Sequence, residues 1–213
     1  MGSNGGGKSV LAGQMLASGY PRSVSIDVKG DFDPPLDYTV LRSPDEWGWR
    51  NTDRHIVYRP KVEYMGGAWL EEVLFRLFER ARRKGKREPF IVYVDEGLYL
   101  SKTGHIQSLA ALAVSGRSLN VGLWVASQRP MWIPVEVRSE AWRWYVFYLA
   151  YEQDEREVLK YTKGRLSLAQ LQEGTANFSF WEIKRGKQSA GKLTITHFPP
   201  VRIGVTTTSG GSS

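Results

Sequence analysis

The feature that most constrains this chain is its beginning, Gly2-Ser3-Asn4-Gly5-Gly6-Gly7-Lys8-Ser9. The stretch satisfies G-x-x-x-x-G-K-[ST], the spacing of a phosphate-binding loop, or P-loop. Glycines let such a loop wrap a phosphate and turn its N–H groups inward. Lys8 is placed to reach the β- and γ-phosphates, and the Ser9 hydroxyl to sit on Mg²⁺. Gly2, Asn4, Gly5, Gly6, Gly7, Lys8 and Ser9 are therefore the expected nucleotide-binding set. A P-loop normally joins a β-strand to a helix, yet only Met1 precedes this one. The expectation is a sheet with a vacancy beside Phe90–Val94, filled by a segment outside this sequence or by another part of the chain.

The residues that follow fit that setting. Ser9–Ser18 has helical spacing, stopped by Gly19 and Pro21. Ser23–Val28 alternates as a strand and ends in Asp27-Val28-Lys29-Gly30-Asp31. Phe32–Asp53, rich in Pro, Asp and Trp, reads as a long loop, and His55–Arg59 as a short strand closed by Pro60. Ala68–Arg83 is a strongly amphipathic helix with Trp69, Leu70, Val73, Leu74, Leu77 and Phe78 on one face. Phe90–Val94 (FIVYV) is continuously apolar, as in a strand buried on both faces of a parallel sheet. Ser101–His105 is a polar loop, Ile106–Ser115 a helix, and Val121–Ala126 and Trp142–Ala150 are strands. Gln153–Tyr161 is a short charged helix. Thr175–Ile183 and Gly191–Thr196 read as a β-hairpin across the basic turn Lys184–Lys187. Strands alternating with helices give an α/β fold, with a mainly parallel sheet flanked by helices and a C-terminal β-hairpin. Residues 2–205 are expected to form a single domain, and 206–213, a Ser/Gly-rich tail, to be disordered.

Composition narrows the class. With 41% apolar residues among 213, the chain can bury a core. No apolar run reaches the length of a membrane span, so no integral membrane segment is expected. The first residues are not a secretory leader. Cysteine is absent, which excludes disulfides and thiolate metal sites. A net charge of +7 favours an anionic partner such as nucleic acid.

In a parallel sheet, ligands bind beyond the carboxyl ends of the strands. Here those ends carry Asp27, Asp95-Glu96 and Gln128. Asp95-Glu96 after an apolar run has the form of a Walker B motif, with Asp95 holding Mg²⁺ and Glu96 deprotonating the attacking water. Gln128, at the end of a neighbouring strand, is placed to hydrogen-bond both the γ-phosphate and that water.

Taken together, GSNGGGKS, IDVKGDF, FIVYVDE and GRSLNVGLWVASQRP resemble the HerA/FtsK superfamily of DNA-pumping ATPases. The most specific part is Gly116-Arg117 to Gln128-Arg129-Pro130, similar to the superfamily's GR…N…TQRP signature with Ser127 in place of Thr. The likeness covers roughly residues 2–150. It implies a P-loop NTPase (RecA-like) fold, ATP and Mg²⁺ as cofactors, and a homo-oligomeric ring, usually a hexamer. It also implies ATP-driven translocation of double-stranded DNA without sequence preference. The resemblance implies an arginine finger acting on the neighbouring subunit, with Arg117 first and Arg129 second among the candidates. It implies Gln128 as a γ-phosphate sensor.

Lacking the additional domains of cellular members, the chain looks most like the genome-packaging ATPases of tailless, membrane-containing viruses. That places it in the host cytoplasm or at the virion vertex, docking on a capsid or portal-like protein. The alternatives are a related DNA motor in repair, plasmid transfer or phage extrusion, or a P-loop small-molecule kinase. Candidate DNA contacts are Lys102, the basic run Arg80–Arg87 and the turn Lys184–Lys187.

Overall fold

A computed structural model describes residues 1–3, 5, 7–43, 46, 54–61, 67–84, 87–98, 107–186 and 192–201. Five parallel strands build the first sheet: β1 (Ser23–Ile26), β2 (Thr39–Leu41), β3 (His55–Tyr58), β4 (Phe90–Val94) and β5 (Val121–Val125). Their spatial order is β2-β3-β1-β4-β5. Helices α1 (Lys8–Ala17), α2 (Gly67–Lys84) and α3 (Gln107–Ser115) cover it. The second sheet is antiparallel, in the order β6 (Arg143–Val146), β7 (Phe180–Arg185), β8 (Leu193–Phe198). Three further helices complete the described chain: α4 (Val135–Glu140), which packs on α3, α5 (Glu152–Thr162) and α6 (Leu168–Glu173).

Alternation along each strand splits the core into two layers, because successive side chains leave a strand on opposite faces. Val24, Ile26, Ile56, Tyr58, Val92 and Val94 meet the apolar stripe of α2 (Trp69, Leu70, Val73, Leu74, Leu77) and Leu109 and Leu112 of α3. Val57, Ile91 and Tyr93 point the other way, onto Ala12 and Leu16 of α1 and onto Phe32. The mainly parallel sheet expected from the strand–helix alternation is present.

Several elements differ from their expected form. The sheet has no vacancy beside Phe90–Val94, since β4 is paired along its whole length with β5 and along four residues with β1. Met1 and the first residues of the P-loop lie instead beyond β5. Gly2 N–H donates to the Ser127 carbonyl at 3.0 Å, the Met1 carbonyl accepts from Phe147 N–H at 2.9 Å, and Ser3 N–H donates to the Tyr148 carbonyl at 2.8 Å. Met1–Ser3 thus bridges the end of β5 and the end of β6. The displacement follows from connectivity: α1 leads directly into β1, and both flanks of β4 are already taken.

The expected loop Phe32–Asp53 contains strand β2. The expected strand Trp142–Ala150 shortens to β6, which leaves the parallel sheet to pair antiparallel with β7. Expected at Thr175–Ile183, the first hairpin strand begins only at Phe180, because Asn177 and Phe178 take positive φ in a 3-10 turn. Helices α4 and α6 were not read from the sequence. The loop Ser101–His105, Lys102 with it, lies outside the described residues, as do Lys187 and the tail from residue 206.

Candidate active site

The carboxyl ends of β1, β4 and β5 converge on the start of α1. Gly7 caps that helix with φ 88°, a left-handed conformation that a side-chain-bearing residue adopts only with strain. Gly2 is required by proximity, since a Cβ there would lie 2.6 Å from Phe147 Cβ. Gly5 is exposed at the turn of the loop, whereas Asn4 and Gly6 lie outside the described residues. Lys8 folds back over the loop and donates from Nζ to the Gly2 and Ser3 carbonyls at 2.7 and 2.8 Å. Its ammonium is half-buried, and burial lowers its pKa; Lys29 pushes the same way while Glu96 and Asp95 oppose. A phosphate at the loop would offer this ammonium a stronger acceptor than two neutral carbonyls.

Ser9, at the start of α1, donates from Oγ to Asp95 Oδ1 at 2.9 Å. Tyr93, two residues earlier on the same face of β4, gives its hydroxyl to the same carboxylate oxygen. Burial raises the Asp95 pKa, and these two hydrogen bonds, which favour the anion, work against it. Oxygens of Asp27, Asp31 and Asp95 lie within 4.8 Å of one another. The donor set at Ser9 and Asp95 is all hard oxygen, as Mg²⁺ requires. Asp27 is committed elsewhere: it accepts from Gly30 N–H at 2.8 Å, Phe32 N–H at 3.0 Å and Arg59 Nε at 2.8 Å. It therefore braces the turn that carries Lys29 rather than presenting a free carboxylate.

Glu96 is the centre of the second half of the site. Its Oε2 accepts from Lys29 Nζ at 2.7 Å and from Gln128 Nε2 at 2.9 Å. Burial would raise its pKa, but the Lys29 and Gln128 contacts outweigh it, and the carboxyl titrates below its usual range. Gly97 N–H bonds the Ala126 carbonyl at 2.7 Å, fixing the end of β4 against the end of β5. This explains how residues 32 positions apart, Glu96 and Gln128, come into contact.

The two candidate arginines part company. Arg129 is held within the chain, its Nε 2.9 Å from the buried Asp154 and its guanidinium over the Tyr151 ring at 4.8 Å. Arg117 is exposed in the turn between α3 and β5 and has no ion pair among the described residues. It precedes β5, while Gln128 follows it. Five residues of strand, roughly 17 Å, separate the two ends. The structure therefore brings Lys8, Ser9, Asp95, Glu96 and Gln128 together and does not bring Arg117 to them. Sequence reasoning missed Lys29 and Tyr93 as site residues. The Asp27–Asp31 stretch signalled that a strand ended there, but not which acidic group Lys29 would meet.

No protein-family model matches this chain, and no curated protein does. Solved structures do. The genome-packaging NTPase B204 from Sulfolobus turreted icosahedral virus 2, in complex with ATP-γ-S, superposes with a TM-score of 0.68 at 16% identity, covering 94% of this chain and 95% of B204. Its complex with AMPPCP gives 0.69 at 16% identity, with coverages of 95% and 96%. EssC (ATPases 2 and 3) from Geobacillus thermodenitrificans gives 0.53 at 14% identity, covering 74% of this chain and 33% of that one. At such identities the likeness is one of fold. The chain has the fold of these P-loop ATPases, as its motifs led one to expect.

Proposed function

We propose that this chain hydrolyses ATP and uses the energy to move double-stranded DNA, packaging a viral genome. The carrying observation is the convergence of Lys8, the Ser9–Asp95 pair and the Glu96–Gln128 pair at one sheet edge. The full-length likeness in fold to B204 supports packaging as the process. The net charge of +7 supports a polyanionic partner.

In this reading Lys8 exchanges the Gly2 and Ser3 carbonyls for the phosphates. Ser9 and Asp95 would hold Mg²⁺, which would supply neutralisation of the phosphate charge. Tyr93 keeps the Asp95 carboxylate oriented. Glu96 accepts the proton of the attacking water, and Gln128 fixes the glutamate's position. Arg117 acts on the site of an adjacent subunit in a homo-oligomeric ring, a hexamer in our reading, because within its own chain it sits at the wrong end of β5. None of the described helices is long and apolar enough to cross a membrane. We assign the protein to the host cytoplasm or virion vertex, docked on a capsid component.

The test is phosphate release by the oligomeric protein with and without double-stranded DNA. Hydrolysis should rise with DNA and fall to background in Lys8→Ala. In Glu96→Gln it should drop about 10²–10⁴-fold, the usual contribution of a general base, with ATP still bound. An oligomer of confirmed mass whose turnover ignores DNA would refute the motor.

A further inference from the structure

Glu96 is too well occupied to act as a base in the geometry described above. Only 2% of its side chain is exposed, and Oε2 has both lone pairs taken, by Lys29 and Gln128. Its Oε1 faces Leu98 N–H at 3.3 Å. Lys29 is the one cation paired with it among the described residues. The backbone of Lys29 is anchored, because Asp27 grips both Gly30 and Phe32 on its far side. Its ammonium, by contrast, rides on a flexible four-carbon stem, and the side chain as a whole is about a third exposed (32%), so the head has room to move while the anchor stays. The same ammonium is near enough to Lys8 for the two charges to repel. Lys8 holds the Gly2 and Ser3 carbonyls of the loop, and Lys29, which holds neither, rests on the base.

We infer that Lys29 senses the γ-phosphate: it rests on Glu96 in the free protein, transfers to the terminal phosphate of a bound nucleoside triphosphate, and thereby releases Glu96 to take the water's proton. This rests on the proposed triphosphate hydrolysis. Lys29 stays an ammonium throughout. The water oxygen bonds to the γ-phosphorus, the bond to the β,γ-bridging oxygen breaks with its electron pair leaving on the diphosphate, and the water's proton passes to Glu96. Because the base is freed by the group about to be attacked, a diphosphate leaves Lys29 where it was.

The inference is tested without turnover, by competition binding of AMPPCP and ADP in Mg²⁺ to the full chain. Lys29→Met should lower the AMPPCP:ADP affinity ratio about tenfold, within the usual range of coupling between two sites. Lys29→Arg should keep most of that ratio. Glu96→Gln should raise it, since Lys29 is then free to move, and the gain should vanish when Lys29→Met is added. Thermal melts accompany each variant, and Lys29→Gln replaces Lys29→Met if the latter unfolds. A ratio unchanged by the loss of Lys29, or a Glu96→Gln gain that survives without Lys29, overturns the inference. Wild-type protein that binds neither nucleotide would instead overturn the reading of the site itself.

Discussion

Asp27 shows how much of this site depends on one residue that does no chemistry. It is fully buried, at 0% exposure, and its carboxylate joins β1, the turn carrying Lys29, and β3 through Arg59. Arg59 also donates to the Phe32 carbonyl at 2.6 Å, so the guanidinium closes the turn from outside. Arg59→Met leaves a buried carboxylate without its counter-ion. We expect a loss of about 3 kcal/mol, the lower end for a broken buried pair because two backbone donors remain. Urea unfolding measures it, and a loss below about 1 kcal/mol would show that the backbone donors suffice. At this scale the legible residues are those whose places are written in short spacings: Lys8 and Ser9 in the loop, Asp95-Glu96 after an apolar run. The Lys29–Glu96 pair was not legible, because a contact between two turns at the ends of adjacent strands depends on the strand order β3-β1-β4, which no local pattern encodes.

At the scale of elements, the amphipathic stripe of α2 was readable because a helix must bury one face, and its residues are the core that the sheet rests on. The basic end of the same helix turned out to have intramolecular partners. Glu88 receives Arg80 at 2.6 Å, Lys84 at 3.4 Å and Arg22 at 3.9 Å, tying the end of α2 to the entries of β4 and β1. Burial raises the Glu88 pKa, but the three cations together outweigh it and hold the carboxyl below its usual range. A depressed carboxylate stabilises the fold fully above its unfolded pKa and loses that contribution as pH falls through the folded one. Glu88→Gln should therefore lower the melting temperature at neutral pH, and the gap to wild type should narrow in acid, as the pH falls from the ordinary glutamate range through the depressed folded value. A gap that stays constant with pH would assign the effect to shape rather than charge. Strand β6 was the least legible element: an aromatic-rich run fits either sheet, and only its partner β7 decides.

For the whole molecule, Arg117 is the feature that points outward. It is exposed, lacks an ion pair among the described residues, and lies across the sheet from its own site. Arg117→Ala should bind ATP normally and fail to hydrolyse it. Mixed with Lys8→Ala subunits it should recover part of the turnover, because one subunit keeps the site and the other the finger. No recovery at any mixing ratio would remove the trans role. Arg129, pinned between Asp154 and Tyr151, is predicted to contribute stability instead, since its loss strands a buried aspartate.

The Gly-rich loop leading into α1, the acidic pair after β4, the glutamine after β5 and the α/β class could be read from the amino-acid order, since each follows from local spacing or periodicity. Long-range packing sets where Met1–Ser3 lies, makes Asp27 a brace, tethers Arg129 and rests Lys29 on Glu96. The physical reason is common to all four. Each depends on which strand lies beside which, and strand order is set by how whole layers bury their apolar faces rather than by any single stretch of residues.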